Sequence, residues 1–156
     1  MCGVAAVMLA GPLVGAPAYA AGPQLKLARE RTRVGEPVRL KVFVSSGVPL
    51  GAYTLQLSFD PSVLNLVSIT GGTAEFAAPP ITNPEKFASG MVRFSAFQPM
   101  RMDGPLGLCH VATLSFTPRA TKGSTRVEVE AIVLADTLGS TYPRSKRHRT
   151  LRLRGR

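Results

Sequence analysis

Alternation with a period of two runs through this chain from Leu25 onward, and it constrains the fold more than any motif does. Tyr53, Leu55, Leu57 and Phe59 alternate with Thr54, Gln56 and Ser58, which sends the two sets of side chains to opposite faces of a half-buried strand. Val38, Leu40, Val42 and Val44 alternate with Arg39, Lys41 and Phe43 after the turn sequence Val34-Gly35-Glu36-Pro37. Val63 to Ile69, Met91 to Phe97 and Leu106 to Phe116 read as further strands, with Val92, Phe94 and Ala96 sharing one side. Val127, Val129 and Ile132 to Leu134 make another, while Leu25 with Leu27 opens the series and Leu151 with Leu153 closes it. At Asp60-Pro61-Ser62 the Asp can bond forward to backbone N–H groups and the Pro fixes the next φ, so the chain turns. Gly71-Gly72 and Pro118–Ser124 are further turns, and residues 73–90, with Pro79, Pro80 and Pro84, read as a long irregular connection. No segment carries a convincing helical period, and 15 Gly with 13 Pro disfavour long helices. The expectation is an all-β fold, an antiparallel two-sheet β-sandwich (jelly roll) of about eight or nine strands. Its core is expected to hold Leu55, Leu57, Phe59, Leu64, Phe94, Leu114 and Phe116.

At 156 residues the chain has room for one domain, and at 45% hydrophobic and 18% charged it can build a packed core. Its first twenty residues read differently from the rest. Met1 to Ala20 has no charged side chain, Val4–Val14 is an apolar run, and Pro17-Ala18-Tyr19-Ala20 ends on an A-x-A pattern. An apolar stretch followed by small residues at a peptidase site is the layout of a secretory signal peptide. Residues 1–20 are therefore expected to be removed after Ala20, which makes the product secreted or periplasmic with no transmembrane segment. Residues 21–155 form the domain. Removal would take Cys2 and leave Cys109 alone, with no intramolecular disulfide. Cys109 sits in an apolar strand pattern and is expected to be a small buried thiol. His110 beside it should face the other way, because neighbours on a strand point to opposite faces.

Charge is unevenly spread. Lys plus Arg number 19 against 9 Asp plus Glu, a net +10. Residues 144–156 hold seven of those cations and no acid, among them Arg144, Lys146, Arg147, Arg149, Arg152 and Arg154. Without that segment the balance is 12 against 9, so the body is close to neutral. The basic segment has no Phe, Tyr or Trp interleaved for base stacking, so it does not predict specific nucleic-acid binding. An exported chain would meet anionic lipid, lipopolysaccharide or acidic polysaccharide before DNA. The plain expectation for such a run is a solvated, partly disordered terminus.

Few residues are available for catalysis. The chain has two His, two Cys and no Trp, and contains no Gly-x-Ser-x-Gly, no His-Glu-x-x-His and no Gly-rich phosphate loop. Asp60 with Glu75, or Asp103 with Asp136, are the acid pairs that a glycosidase reading would use. Asp60 and Asp103 lie in turn sequences, where an acid serves the backbone. Calcium suits this fold class, but the scattered acids form no recognisable cage. The chain reads as a non-enzyme with no cofactor and no metal site.

One succession of residues goes beyond generic sandwich grammar. It runs Val34-Gly35-Glu36-Pro37-Val38, then Gly47-Val48-Pro49-Leu50-Gly51-Ala52-Tyr53, then Leu55-Gln56-Leu57-Ser58-Phe59-Asp60-Pro61-Ser62-Val63-Leu64. Val92-Arg93-Phe94-Ser95-Ala96, Val111-Ala112-Thr113-Leu114-Ser115-Phe116 and Gly123-Ser124-Thr125 complete it. Over about residues 25–155 this order resembles the cohesin domain, the nine-stranded jelly roll of cellulosomal scaffolding proteins. The resemblance implies a binding module that docks a protein partner, of dockerin type or an envelope or secretion component. It further implies that docking uses the outer face of the sheet containing the third, fifth, sixth and eighth strands. Read onto that face by alternation, the outward residues here are Thr54, Gln56, Ser58, Arg93, Ser95 and Phe97. Arg and Phe are side chains favoured at binding hot spots. At the start of the third strand this chain has Ala52 and Thr54, where cellulosomal members place Asn- and Asp-like contacts.

A carbohydrate-binding module of the same architecture is the alternative reading. Binders of crystalline polysaccharide present a flat row of aromatic rings. After residue 20 the only tyrosines are Tyr53 and Tyr142, and alternation turns Tyr53 inward. The expected product is a single secreted module acting in extracellular polysaccharide degradation or envelope assembly.

Overall fold

Most strands form where the alternation is clean, because each can bury one face against a second sheet while its backbone groups pair laterally. The computed structural model describes residues 23–30, 36–98, 103–120 and 123–153. The signal-peptide reading for residues 1–20, Val34 and Gly35 of the turn, and Arg154 lie outside these residues. Among the described residues there are nine strands: β1 (Gln24–Arg29), β2 (Val38–Ser46), β3 (Leu50–Ser58), β4 (Leu64–Gly71), β5 (Ile81–Thr82), β6 (Met91–Phe97), β7 (Gly107–Pro118), β8 (Gly123–Asp136) and β9 (Ser145–Leu153). They make two antiparallel sheets, one ordered β1-β2-β7-β4 and the other β5-β6-β3-β8-β9.

The core lies between the sheets and contains all seven of the expected residues, together with Leu40, Val42, Val44, Tyr53, Val111, Val127, Val129 and Leu151. Phe59 meets Phe116 edge-on at 5.4 Å between ring centres, and Tyr53 meets Phe94 at 6.2 Å. Tyr53 is as buried as the leucines around it, and its Oη donates to the Val111 carbonyl at 2.9 Å, so the one polar atom it brings inside is satisfied.

Bulges correct the alternation at defined places. Phe43 pairs with His110 and Val42 with Ala112, which leaves Val111 as an extra residue and turns both Val111 and Ala112 into the core. On β8, Thr54 pairs with Val133 and Leu55 with Ala131, so Ile132 is the extra residue and Val133 faces out. On β3, the bulge falls at Gly51, where a Cβ would collide with the Asp136 carbonyl.

Two expectations need correcting. Residues 73–90 are not simply irregular. They contain the 3-10 turns Ala74–Phe76 and Pro84–Ser89 with the short strand β5 between them, and Phe76 is buried against Tyr53. The second turn is capped by Asn83, whose Oδ1 accepts from the Glu85 N–H at 3.0 Å, and stops at Gly90 in a left-handed conformation. The described part of the basic segment is exposed over much of its length, as expected, but it is not a loose terminus. From Ser145 to Leu153 it is a strand paired along its length with β8, with Leu151 and Leu153 buried.

Candidate functional site

Period two on β3 and β6, with antiparallel register between them, assembles one outward face row by row. Thr54 lies opposite Ser95, Gln56 opposite Arg93, and Ala52 opposite Phe97. Across β3 the rows continue onto β8 as Val133, Glu130 and Ala135, and across β6 the first row reaches Ile81 on β5. All six outward residues expected from alternation therefore share one face of the five-stranded sheet. Neighbouring strands in such a sheet are about 4.8 Å apart, so residues of one row touch. Thr54 Oγ1 and Ser95 Oγ are hydrogen-bonded at 3.0 Å, and Arg93 Nε donates to Gln56 Oε1 at 2.9 Å. The second bond orients the guanidinium, whose terminal nitrogens have no hydrogen-bond partner among the described residues.

The apolar members decide the character of this face. Phe97 is 61% exposed, Ile81 69% and Val133 38%, and all three flank the Thr54–Ser95 pair. Met91 adds a fourth exposed apolar side chain lower on β6. Between β6 and the 3-10 turn Pro84–Ser89 runs a shallow open groove of about 310 Å³ lined by Gln56, Asn83, Lys86, Met91, Val92 and Arg93. Sequence reasoning had named Phe97 but not Ile81, Met91 or Val133. Ile81 lies in the stretch read as a loop, and alternation from Val127 and Val129 would turn Val133 inward until the bulge at Ile132 inverts the phase.

On the β8–β9 side the face changes to charge. Lys146 Nζ and Arg126 Nη2 both reach Glu128 at 3.0 Å, and Arg144 lies 3.9 Å from Glu130. The Lys146 bond holds the Glu128 carboxyl below its ordinary range, and Glu128 in turn raises the Lys146 amine. Arg147, Arg149 and Arg152 form no ion pair among the described residues.

Asp60 and Asp136 serve the backbone and neighbouring hydroxyls. Asp60 Oδ1 accepts from Ser62 Oγ at 2.6 Å and Ser62 N at 2.9 Å, which lowers its carboxyl. Burial pushes the Asp136 carboxyl up, but bonds from Ser140 N, Tyr142 Oη and Leu138 N outweigh it and leave it lowered. A general acid needs the opposite shift. Burial, with Glu75 nearby, pushes the Cys109 thiol up to about 11. His110 turns to the other face, its Nε2 lying 3.0 Å from Thr113 Oγ1 and its ring 5.1 Å from Phe43. Burial, with Lys41 adding to it, lowers the imidazole. No group of three His, Cys, Asp or Glu side chains converges among the described residues, and no helix there is long and apolar enough to cross a membrane. Tyr53 is buried, and Tyr142 is partly buried against the core with its Oη bonded to Asp136, so the described tyrosines form no flat exposed row of rings.

The two antiparallel sheets make the sandwich that the sequence resembled, and the family model of the cohesin domain matches residues 23–144. The chain belongs to the cohesin domain family. Among solved structures, this cohesin domain is similar to the cohesin module of a family 33 glycoside hydrolase from Clostridium perfringens, at 10% identity and a TM-score of 0.69, covering 86% of this chain and 98% of that one. It is similar to a non-cellulosomal cohesin from the archaeon Archaeoglobus fulgidus, at 14% identity and a TM-score of 0.64, covering 85% and 91%. A type I cohesin–dockerin complex from Clostridium thermocellum matches at 12% identity and a TM-score of 0.61, covering 80% and 96%. No curated protein matches the chain. Identities this low carry the fold and not the partner.

Proposed function

We propose that this cohesin domain is an exported, non-catalytic docking module whose protein partner seats on the outer face of the five-stranded sheet. Phe97, Ile81 and Val133, exposed together beside the oriented guanidinium of Arg93, carry this reading. Interfaces concentrate their binding energy in a few aromatic, aliphatic and Arg anchors surrounded by polar contacts. Thr54, Gln56, Ser58 and Ser95 supply the polar surround. The partner is of dockerin type or an envelope or secretion component, and export proceeds by cleavage after Ala20. Family membership and a related domain solved as a cohesin–dockerin complex support docking, and the A-x-A pattern supports export.

Affinity capture from the native culture, with the bound protein identified by mass spectrometry, tests the docking face. Phe97→Ala and Arg93→Ala should each release the captured partner, while Arg126→Ala on the same face near β9 should retain it. Equal capture by all three variants would remove the sheet face from the reading. N-terminal sequencing of the product tests export, with Ala21 as the expected first residue.

A further inference from the structure

Two edge strands, β1 of one sheet and β9 of the other, lie side by side along one flank of the sandwich. Their core-facing positions run out of apolar residues there. On β9 the residues paired with buried Val129 and Val127 are Arg147 and Arg149, and on β1 the residue paired with buried Leu40 is Arg29. Alternation asks for apolar side chains at all three positions. Instead the guanidinium groups of Arg29 and Arg149 reach across the seam between the sheets, and Arg147 stands next to Arg149 on the same side of β9. Arg149 Nη1 donates to the Leu27 carbonyl of β1 at 3.2 Å, and Arg29 Nη1 donates to the Arg152 carbonyl of β9 at 3.4 Å. Arg147 Nη1 donates to the carbonyl of its neighbour Lys146 at 3.1 Å. Each fork is thus anchored by one nitrogen, and its remaining N–H donors have no partner among the described residues.

The carboxylates near this flank are used elsewhere. Glu128 and Glu130 take Lys146, Arg126 and Arg144 on the opposite face of the β8–β9 ladder, and Glu30 takes Lys41 at 3.6 Å. Arg29, Arg147 and Arg149 have no carboxylate within 4 Å among the described residues. The outcome is a strip of three anchored guanidiniums with no internal counter-charge.

We infer that this seam binds a linear, carboxylate-bearing polysaccharide. A guanidinium fork matches a carboxylate by two parallel N–H···O bonds, and forks fixed in place lose less freedom on binding. Arg147 and Arg149 stand two residues apart on one strand, a repeat of roughly 7 Å that suits successive charges on an extended polymer. A protein partner would want apolar anchors at the centre of its footprint. None of the exposed large hydrophobic residues among those described lies on β1 or β9, which also argues against insertion into a membrane. Nor does either strand carry a Phe, Tyr or Trp on which a nucleic-acid base would stack. A strongly hydrated polyanion needs neither. This site is separate from the docking face, which lies towards β5, β6 and β3, so its test stands independently of the docked protein.

The test is titration of the folded domain with polygalacturonate, alongside neutral dextran, double-stranded DNA and vesicles of phosphatidylcholine with phosphatidylglycerol. Arg147→Gln/Arg149→Gln is compared with Arg144→Gln/Lys146→Gln, which removes the same charge from the paired face. The seam variant should weaken polygalacturonate binding by about tenfold or more, as expected for lost charge-assisted pairs, and the matched variant should change it little. Arg147→Gln alone, which breaks only a bond to its neighbour's carbonyl, should give a smaller loss in the same direction with unchanged thermal unfolding. Equal losses in both double variants would show attraction to net charge and overturn the seam. Tighter seam-dependent binding to DNA or vesicles would overturn the polysaccharide assignment, as would equal affinity for dextran.

Discussion

Leu57 and Phe97 belong to neighbouring strands but to opposite faces, and substituting each separates stability from binding. Leu57 is fully buried, so Leu57→Ala should cost about 2–5 kcal/mol in denaturant unfolding. Phe97→Ala should stay within about 0.5 kcal/mol of the parent while abolishing capture of the partner, because the ring stands in solvent. Cys109 gives a prediction in pH. Its thiol ordinarily titrates at 9.0 and in the fold at about 11, so the unfolded chain releases the proton first. Stability is therefore complete below pH 9 and declines as the pH rises towards 11, with the buried Tyr53 phenol extending the decline from its ordinary 10.0 upward. Thermal melts across this range should show the decline, and in Cys109→Ala it should begin about one unit later, where Tyr53 alone remains. The inward and outward sets on β3 were legible because nothing interrupts Tyr53 to Phe59. Val133 was not, because one extra residue at Ile132 reverses the phase of everything beyond it.

Among the elements, β9 departs furthest from its reading. Ser145 to Thr150 contains no apolar residue, so the pattern that reveals a strand begins only at Leu151. What holds the first half is lateral. It has a backbone ladder to β8, ion pairs from Lys146 to Glu128 and from the preceding Arg144 to Glu130, and the arginine bonds to β1. None of these is visible in the hydropathy of one segment, because each depends on a distant strand. The structure makes truncation severe. Ending the chain at Pro143 removes buried Leu151 and Leu153 and strips the β8 ladder of its partner. The shortened protein should be insoluble or lack a cooperative melt by circular dichroism. Leu151→Ala, which keeps the strand, should cost about 2–5 kcal/mol.

At the scale of the whole molecule, the central pairings are all remote in sequence: β2 with β7, β3 with β8, β4 with β7. Chains dominated by such contacts must close long loops before they gain stability, so refolding is expected in milliseconds to seconds rather than microseconds. Stopped-flow fluorescence of the tyrosines would show it, and a sub-millisecond main phase would contradict it. The sandwich class was legible because the strands and turns recur along the chain, whereas the strand order rested on resemblance, since alternation says which face a residue takes and not which strand lies beside it. Two open sheets have four outer margins, and each carries its own obstacle to growth. β5 is two residues long, β4 swells at Val67, β9 turns Arg147 and Arg149 inward, and the β1 carbonyl at Leu27 is already filled by Arg149. A second copy that approaches edge-on finds no long, flat row of free backbone groups to extend. The molecule is thereby protected from running on into fibrils, and crowding many copies together on one surface should leave them as separate units.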